Sequence, residues 1–235
     1  MIRAARWAFP AAPAFVAFDL DGTLVDSAPD IAWSVNAVLA ADGLPPHTAP
    51  AVRGMIGHGL ERLVERAFEA HGVTLDPQIL HARQAAMAAV YADHLVDLTR
   101  LRAGACEAVK AVRGPGLRSG VVTNKPEAFA RTILTHFGLL ADLDVVVGGD
   151  SGYPKKPAPD MLLAACAVIG VPPRKAVLIG DSGADLASAR AAGVICVLVR
   201  GGYSDRPVDE LDADLVIDEL DALPMILGLS AEAPQ

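Results

Sequence analysis

The sequence predicts an α/β fold in which a doubly wound parallel sheet is interrupted by an all-helical insert. From about residue 105 to residue 217, short runs rich in Val, Ile and Leu alternate with helical stretches. This alternation is typical of a parallel sheet that is covered by helices on both faces. Between Ser27 and about Leu98, by contrast, the periodic segments are all helical. The 235 residues are enough for one such sheet and a smaller second unit.

The first strand and the insert follow from local signals. The apolar run Ala14–Phe18 ends in acidic and glycine residues, which predicts a buried strand. Ser27 or Asp30 as the N-cap, with Pro29 in the first turn, predicts a helix that continues to about Ala41. Three further helices of the insert are predicted at about Ala49–Met55, Leu60–Ala70 and Pro77–Leu95.

The remainder of the chain alternates between strands and helices. The predicted strands are Ser119–Thr123, Val145–Val147, Ala176–Ile179, Val194–Val199 and Leu215–Ile217. The predicted helices are Ala105–Val112, Pro126–Phe137, Pro159–Ile169 and Asp185–Ala191. We therefore assign residues 1–26 and 99–235 to a sheet domain and residues 27–98 to a helical domain. Residues 1–13 are interpreted as a short irregular leader rather than a signal peptide, and Ser230–Gln235 as a disordered tail.

Composition narrows the possible functions. Hydrophobic residues make up 52% of the chain and charged residues 20%, which excludes a disordered protein. The 28 acidic residues outnumber the 20 Lys and Arg residues, so a nucleic-acid or anionic-membrane partner is not expected. The uncharged apolar runs are all shorter than the roughly 20 residues that a membrane span requires. The three cysteines lack metal-ligand spacing, and we expect a cytoplasmic protein.

Polar residues collect where the predicted strands end. These residues are Asp19, Asp21, Thr123, Asn124, Lys125, Lys156, Asp181 and Asp185. Parallel sheets of this kind bind ligands beyond the carboxyl ends of their strands. Converging carboxylates would repel one another unless a cation lies among them, and ligands that are all oxygen suit Mg²⁺. The lysine, the threonine hydroxyl and nearby backbone N–H groups would then bind a phosphate.

Four segments give the chain a recognisable likeness. They are Asp19-Leu20-Asp21-Gly22-Thr23, Thr123-Asn124-Lys125, Lys156-Pro157 and Gly180-Asp181-Ser182-Gly183-Ala184-Asp185. In order and spacing they resemble the four motifs of the haloacid-dehalogenase-like phosphatases. The resemblance extends from about Phe15 to Val199. It implies a Rossmann-like core and identifies the helical insert with the C1 cap of that family.

The resemblance also implies a catalytic role for four of these residues. Asp19 would attack phosphorus and form an aspartyl-phosphate. Asp21 would protonate the leaving group and then activate the hydrolytic water. Thr123 and Lys156 would hold the oxygens of the transferring phosphoryl group.

The metal site implied by the resemblance uses two of the same residues. Mg²⁺ would be held by the Asp19 carboxylate, the Asp21 backbone carbonyl and Asp181, with Asp185 acting either directly or through water. The ion would offset the repulsion between an anionic nucleophile and an anionic phosphate.

Substrate-binding residues are predicted both in the sheet domain and in the helical insert. Gly22, Thr23, Asn124 and Lys125 lie in or beside the motifs that would bind the substrate. Arg53 and His58 lie near a glycine-rich segment of the insert and are candidates for reading the leaving group, although a surface role fits each of them equally. Lys155 is interpreted as a solvated side chain, because Lys156 directly precedes Pro157 as the family's lysine does.

Within the family, the chain most resembles the phosphoglycolate phosphatases, which implies that the partner is a small phosphorylated metabolite, 2-phosphoglycolate. Phosphatases of sugar phosphates or pyrophosphate and a phosphomutase of the β-phosphoglucomutase type share the motifs and stay open as alternatives. A phospho-acceptor signalling module needs neither the acid at Asp21 nor a long insert, and a dehalogenase needs no acidic cluster. We expect a monomer or a homodimer.

Overall fold

The computed structural model describes residues 12–113 and 116–229, which form a six-stranded sheet, a small two-stranded sheet and the helices that flank them. The strands are β1 (Phe15–Phe18), β2 (Val25–Asp26), β3 (Arg100–Leu101), β4 (Arg118–Val122), β5 (Val145–Val147), β6 (Ala176–Gly180), β7 (Ile195–Val199) and β8 (Leu215–Ile217). The helices are α1 (Ala28–Ala41), α2 (Ala49–Arg53), α3 (Leu60–Glu69), α4 (Pro77–Ala92), α5 (Ala105–Ala111), α6 (Glu127–His136), α7 (Asp160–Ile169), α8 (Gly183–Ala192) and α9 (Leu223–Ile226).

The large sheet is parallel throughout and has the order β5-β4-β1-β6-β7-β8. Strand β1 is central, and its first residue, Phe15, pairs with Arg118 of β4 and with Ala176 of β6. Counted among the strands of this sheet alone, the order is 3-2-1-4-5-6, which is typical of nucleotide-binding doubly wound folds. The direction of winding reverses beside β1, so the loops after β1, β4 and β6 surround a crevice.

Both faces of the sheet are buried, which explains the near-continuous apolar runs of its strands. Val16 and Phe18 pack into one apolar layer, and Phe15 and Ala17 pack into the other. The first layer continues into the apolar interior of the insert, where it includes Val35 of α1. The predicted doubly wound α/β fold is confirmed.

Helices α1 to α4 form the insert, and the chain enters and leaves it through β2 and β3, which pair with each other in antiparallel register. The sequence analysis did not predict these two-residue strands, because they are too short for any periodicity. The Asp30 carboxylate, an expected helix cap, accepts hydrogen bonds from the backbone N–H groups of Leu98 and Thr99 and from the Thr99 hydroxyl at distances of 2.7–3.0 Å. Asp30 therefore fastens the two ends of the insert together.

The bounds of the predicted elements agree with the structure to within three residues, and the largest difference is at the end of one helix of the insert. Helix α4 ends at Ala92 rather than at about Leu95, and α2 ends at Arg53. Residues 1–11 of the expected leader and the expected tail, residues 230–235, lie outside the described part of the chain. Among the described residues, none of the helices has the length and apolar character that a membrane crossing needs.

Candidate active site

Three carboxyl groups meet at the carboxyl edge of the sheet. Asp19 directly follows β1, Asp181 directly follows β6, and Asp185 lies in the first turn of α8. All three are buried, and each has an oxygen that lies within 4.8 Å of an oxygen of each of the others. Strand-end geometry thus assembles residues that are more than 160 positions apart in the sequence.

Lys156 is the cation beside this cluster. Its Nζ atom lies 2.6 Å from Asp185 Oδ1 and 2.7 Å from Asp19 Oδ1, and its side chain is buried. Burial favours the neutral amine, but the carboxylates of Asp185 and Asp19 outweigh it and raise the pKa of Lys156 above its ordinary value. Lys156 is therefore charged at neutral pH.

One ammonium does not balance three carboxylates. Burial raises the pKa of Asp19 to about 6, with the Lys156 charge opposing and the Asp185 charge adding to the shift. Burial, followed by the charges of Asp185 and Asp19, raises the pKa of Asp181 well above its usual range. Asp19 Oδ1 is also buried without an aligned hydrogen-bond donor. An excess of buried negative charge with an unsatisfied oxygen fits a divalent cation.

Asp181 is held in a fixed orientation by groups on both of its oxygens. Thr23 Oγ1 donates to Oδ1 at 2.8 Å, and the backbone N–H of Tyr203 donates to Oδ2 at 2.6 Å. A Cβ atom at Gly22, whose φ is +88°, or at Gly202 would overlap the Asp181 carboxylate. Glycine is therefore required at both positions, because the backbone passes against this carboxylate.

The Asp185 carboxylate accepts hydrogen bonds through both of its oxygens. Its Oδ2 accepts from the Ser182 hydroxyl at 2.6 Å and from the Ser182 N–H at 3.1 Å, forming a capping box at the start of α8. Its Oδ1 accepts from Lys156. Both oxygens of Asp185 thus have aligned protein donors, whereas among the described residues Asp19 Oδ1 has the ion-pair contact with Lys156 alone.

The carboxyl group of Asp21 lies outside the cluster and has separate partners. Lys125 Nζ donates to both of its oxygens, at 2.7 and 2.9 Å, and Ser27 Oγ donates to Oδ1 at 2.5 Å. The sequence pattern suggests Ser27 as the helix cap, but its hydroxyl makes no capping bond to α1.

The segment after β4 contributes Thr123 and Asn124. Thr123 is buried and faces the cavity, and its hydroxyl accepts from the backbone N–H of Lys125 at 3.3 Å. The Asn124 amide accepts from Lys156 N at 2.8 Å and donates to Lys156 O and to Gly57 O, both at 2.9 Å. We predicted Asn124 as a substrate-binding residue, but its side chain joins this segment to the lysine loop and to the insert.

A cavity with about 550 Å³ of free space, its mouth included, joins these groups to the insert. Its floor is polar and comprises Asp19, Asp21, Thr123, Asn124, Lys125, Lys156, Asp181 and Ser182. Its roof consists of residues of the insert that are apolar or glycine: Ile31, Ile56, Gly57, Gly59, Leu60 and Leu63. A charged floor under a small apolar roof can hold an anionic group next to a nucleophile.

A family model of the haloacid dehalogenase-like hydrolases matches residues 16–199. The chain belongs to this family. Phosphoglycolate phosphatase of Rhodospirillum rubrum is 41% identical over 220 residues, which are 92% of this chain and 91% of that protein. Phosphoglycolate phosphatase of Cereibacter sphaeroides is 40% identical over 213 residues, 90% of this chain and 96% of that protein. This haloacid dehalogenase-like hydrolase is a phosphatase.

A solved structure supports the same conclusion. The crystal structure of a predicted phosphoglycolate phosphatase from Haemophilus somnus matches this hydrolase with a TM-score of 0.85 at 30% identity. The match covers 92% of this chain and 99% of that one. The resemblance that the four motifs suggested is confirmed.

Four predicted substrate-binding residues of the hydrolase lie outside the cavity wall. Gly22 and Thr23 lie against the Asp181 carboxylate, and Arg53 and His58 belong to the insert. Arg53 forms an ion pair with Asp26 at 2.8 Å, and its guanidinium carbon lies 5.2 Å from the centre of the Tyr203 ring. His58 is exposed. The partial loss of solvent around its ring, together with the charges of Arg66 and Arg62, lowers its pKa. Neither side chain lines the cavity wall.

Sequence reasoning missed several residues that connect the floor to the insert. The Lys155 side chain, interpreted as solvated, is partly exposed, and its Nζ pairs with Glu61 Oε2 of α3 at 2.6 Å. The Tyr203 hydroxyl donates to Asp26 Oδ1 at 2.7 Å and accepts from the Ala28 N–H at 2.9 Å. The residues in these contacts are far apart in the sequence, so local patterns do not reveal that they meet. The one local signal is the glycine pair before Tyr203.

Proposed function

We propose that this hydrolase cleaves a small phosphomonoester, foremost 2-phosphoglycolate, into an alcohol and phosphate, through an aspartyl-phosphate on Asp19. The observation that carries the proposal is the environment of Asp19. Its buried Oδ1 has no aligned hydrogen-bond donor, yet it lies 2.7 Å from a charged lysine at the floor of a cavity. A carboxylate in this position is available to attack an electrophile that the lysine attracts.

In the first step, a carboxylate oxygen of Asp19 forms a bond to phosphorus as the bond between phosphorus and the leaving oxygen breaks. Lys156 and the Thr123 hydroxyl bind oxygens of the phosphoryl group and keep it in line for attack. Asp21 gives its proton to the leaving oxygen, so that an alcohol departs instead of an alkoxide.

In the second step, Asp21 removes a proton from a water molecule, whose oxygen attacks the same phosphorus atom. The bond between phosphorus and Asp19 breaks, phosphate is released, and both aspartates return to their initial forms. Lys156 stays near Asp19 in both steps, since Asp185 fixes its ammonium group from the other side.

The residues that would hold Mg²⁺ are Asp19, Asp181, Asp185 and the backbone carbonyl of Asp21. Family members generally use a divalent metal, and the excess of buried carboxylates supports one in this protein. When bound, Mg²⁺ supplies positive charge that lowers the repulsion between the nucleophile and the phosphate.

We further propose that residues 27–98 are a cap domain that opens and closes about the paired strands β2 and β3. Closure excludes water from the cavity and brings the apolar roof over the leaving group.

We also propose that the enzyme is cytoplasmic. All three cysteines are free thiols, which is consistent with that location.

The roof supports a small leaving group. Its side chains are apolar or absent, so the several hydroxyl groups of a sugar phosphate would lose hydrogen bonds to water and find few replacements. The two-carbon glycolate has only its carboxylate to satisfy, so it loses fewer hydrogen bonds under this roof. These features favour 2-phosphoglycolate over sugar phosphates.

A panel of substrates tests the proposal. We expect kcat/KM to be highest for 2-phosphoglycolate, lower for ethyl phosphate, which is its counterpart without the carboxylate, and lower still for glucose 6-phosphate and pyrophosphate. EDTA should abolish hydrolysis and added Mg²⁺ should restore it. A preference for the sugar phosphate, or full activity in EDTA, would contradict the proposal.

A further inference from the structure

Tyr91 carries an aromatic ring from the insert to the core beside the site. It lies in the last turn of α4, and its side chain is fully buried. The ring centre is 4.7 Å from Lys125 Nζ, and the ring meets that of Phe129 in α6 edge-on, with centres 5.8 Å apart at an angle of 86°. Tyr91 therefore contacts two side chains of the core, Lys125 and Phe129.

The lysine that it contacts is the partner of Asp21. Lys125 is 1% exposed, and its ammonium group donates to both oxygens of the Asp21 carboxylate. A lysine side chain has a flexible four-carbon stem and many accessible rotamers. A neighbouring group is therefore needed to keep its ammonium group in one position. An electron-rich ring within about 6 Å attracts an ammonium ion, and the attraction is strongest where water is excluded.

The ring rather than the hydroxyl makes this contact. Tyr91 Oη is buried, and among the described residues none makes a well-aligned hydrogen bond to it, with the Ser27 side chain beside it. Burial and the charges of Asp21 and Asp30 raise the pKa of Tyr91 well above its usual range, so the group stays a neutral phenol. A phenylalanine would supply the same ring face without the unsatisfied oxygen.

We propose that Tyr91 is a positioning residue through which the insert controls leaving-group protonation: its ring holds the Lys125 ammonium against Asp21. The consequence is that Asp21 is correctly oriented only while α4 is packed on the core. Ser27, at the entrance to the insert, also donates a hydrogen bond to this carboxylate. The inference rests on the proposed role of Asp21 as the acid.

The test compares two substrates in two variants of the full-length enzyme. Release of glycolate from 2-phosphoglycolate needs an acid, whereas release of 4-nitrophenolate from 4-nitrophenyl phosphate does not. In Tyr91→Leu, we expect first-turnover release to fall about 10- to 100-fold for 2-phosphoglycolate and less than about threefold for the aryl ester. In Tyr91→Phe, both rates should stay within about twofold of wild type.

Three outcomes would overturn the inference. Equal losses for both substrates in Tyr91→Leu would show that the residue only supports the fold. A loss in Tyr91→Phe as large as in Tyr91→Leu would assign the effect to the hydroxyl. If Tyr91→Leu does not fold, Lys125→Met replaces it in the same comparison, and equal losses there would remove the lysine from the explanation.

Asp21→Asn separates the inference from the function on which it rests. It should show the same discrimination between the substrates, and more strongly. If it does and Tyr91→Leu does not, Asp21 is the acid and Tyr91 does not position it. If Asp21→Asn slows both substrates equally, the acid role itself is wrong.

Discussion

The floor and the roof of the cavity are built in opposite ways. The floor comes from the core, and its carboxylates and lysines are buried and bonded to one another. The roof comes from the insert and offers apolar side chains and glycine. Charged groups in a low-dielectric site act strongly on a reacting phosphate, whereas apolar groups discriminate between leaving groups weakly. We therefore expect the groups that act directly on the phosphate to come from the core, and the insert to influence the choice of substrate.

The two regions also differ in what they contribute to stability. Burying three carboxyl groups near one another costs free energy that a single lysine only partly offsets. The roof buries apolar side chains such as Leu63, which stabilise the fold. Substitutions in the floor should thus damage catalysis while sparing the fold, and substitutions in the roof should shift substrate preference.

The largest effect is expected for Asp181→Asn. The variant keeps the shape of the side chain but removes one negative charge from the cluster, so we expect kcat to fall by about 10³-fold or more. Mg²⁺ should no longer raise its melting temperature. In EDTA the variant should be at least as stable as wild type, because a repulsion has been relieved.

Asp212→Asn is the matched control for this variant, because that carboxylate side chain is 97% exposed. It should leave both kcat and the effect of Mg²⁺ unchanged. An Asp181→Asn enzyme that retained most of its activity would break the distinction between floor and roof.

The second effect is a pH dependence of stability in EDTA. The pKa of Asp19 rises from 3.8 to about 6 on folding, so the folded protein binds the proton more tightly than the unfolded chain does. This contribution is complete below pH 4 and is lost as the pH rises through about 6, at a cost of roughly 3 kcal/mol. Urea unfolding from pH 4 to pH 7 should show a larger loss in wild type than in Asp19→Asn, where the raised pKa of Asp181 still contributes.

A moderate effect is expected in the roof. Leu60→Asn places a hydrogen-bonding amide above the leaving group, so kcat/KM for 2-phosphoglycolate should fall about three- to tenfold while that for glucose 6-phosphate rises. The substrate panel described for the wild type measures both changes. A uniform loss across all substrates would show that the roof acts on the chemistry as well.

The smallest effect is expected where floor and roof join at the surface. The ion pair of Lys155 with Glu61 is partly exposed, with side-chain exposures of 32% and 56%, so it contributes at most about 1 kcal/mol. Lys155→Met should raise KM less than about threefold, and 0.5 M salt should reduce the difference from wild type. A tenfold change in kcat would indicate that this pair controls closure of the insert.

The sequence was sufficient for the sheet and for the charged floor. Asp19, Asp181 and Lys156 lie next to apolar strands or to a proline, and parallel strands bring such ends together whatever their separation in sequence. The same reasoning failed for the side chains that join the insert to the core. In the sequence, Tyr91 is simply one of the apolar residues of α4. Its contact with Lys125 depends on how that helix packs on the core.

Arg53 and His58 illustrate the same limit. Proximity to the glycine-rich segment placed them near the site in the sequence, but the direction of a side chain depends on the helix or loop that carries it. The Arg53 guanidinium pairs with Asp26, at the start of the insert, and lies over the Tyr203 ring. Local sequence signals contain no information about that orientation.

The most direct test of the account is to trap a phosphoryl group on the enzyme. Asp21→Asn, supplied with 4-nitrophenyl phosphate and Mg²⁺, should complete the first step, which needs no acid for this ester, and stall before hydrolysis. Rapid acid quenching and peptide mass spectrometry should then find one phosphoryl group on the peptide that contains Asp19, and none when Asp19 is also replaced by Asn. Release of nitrophenolate and phosphate together, with no phosphorylated peptide, would contradict nucleophilic attack by Asp19.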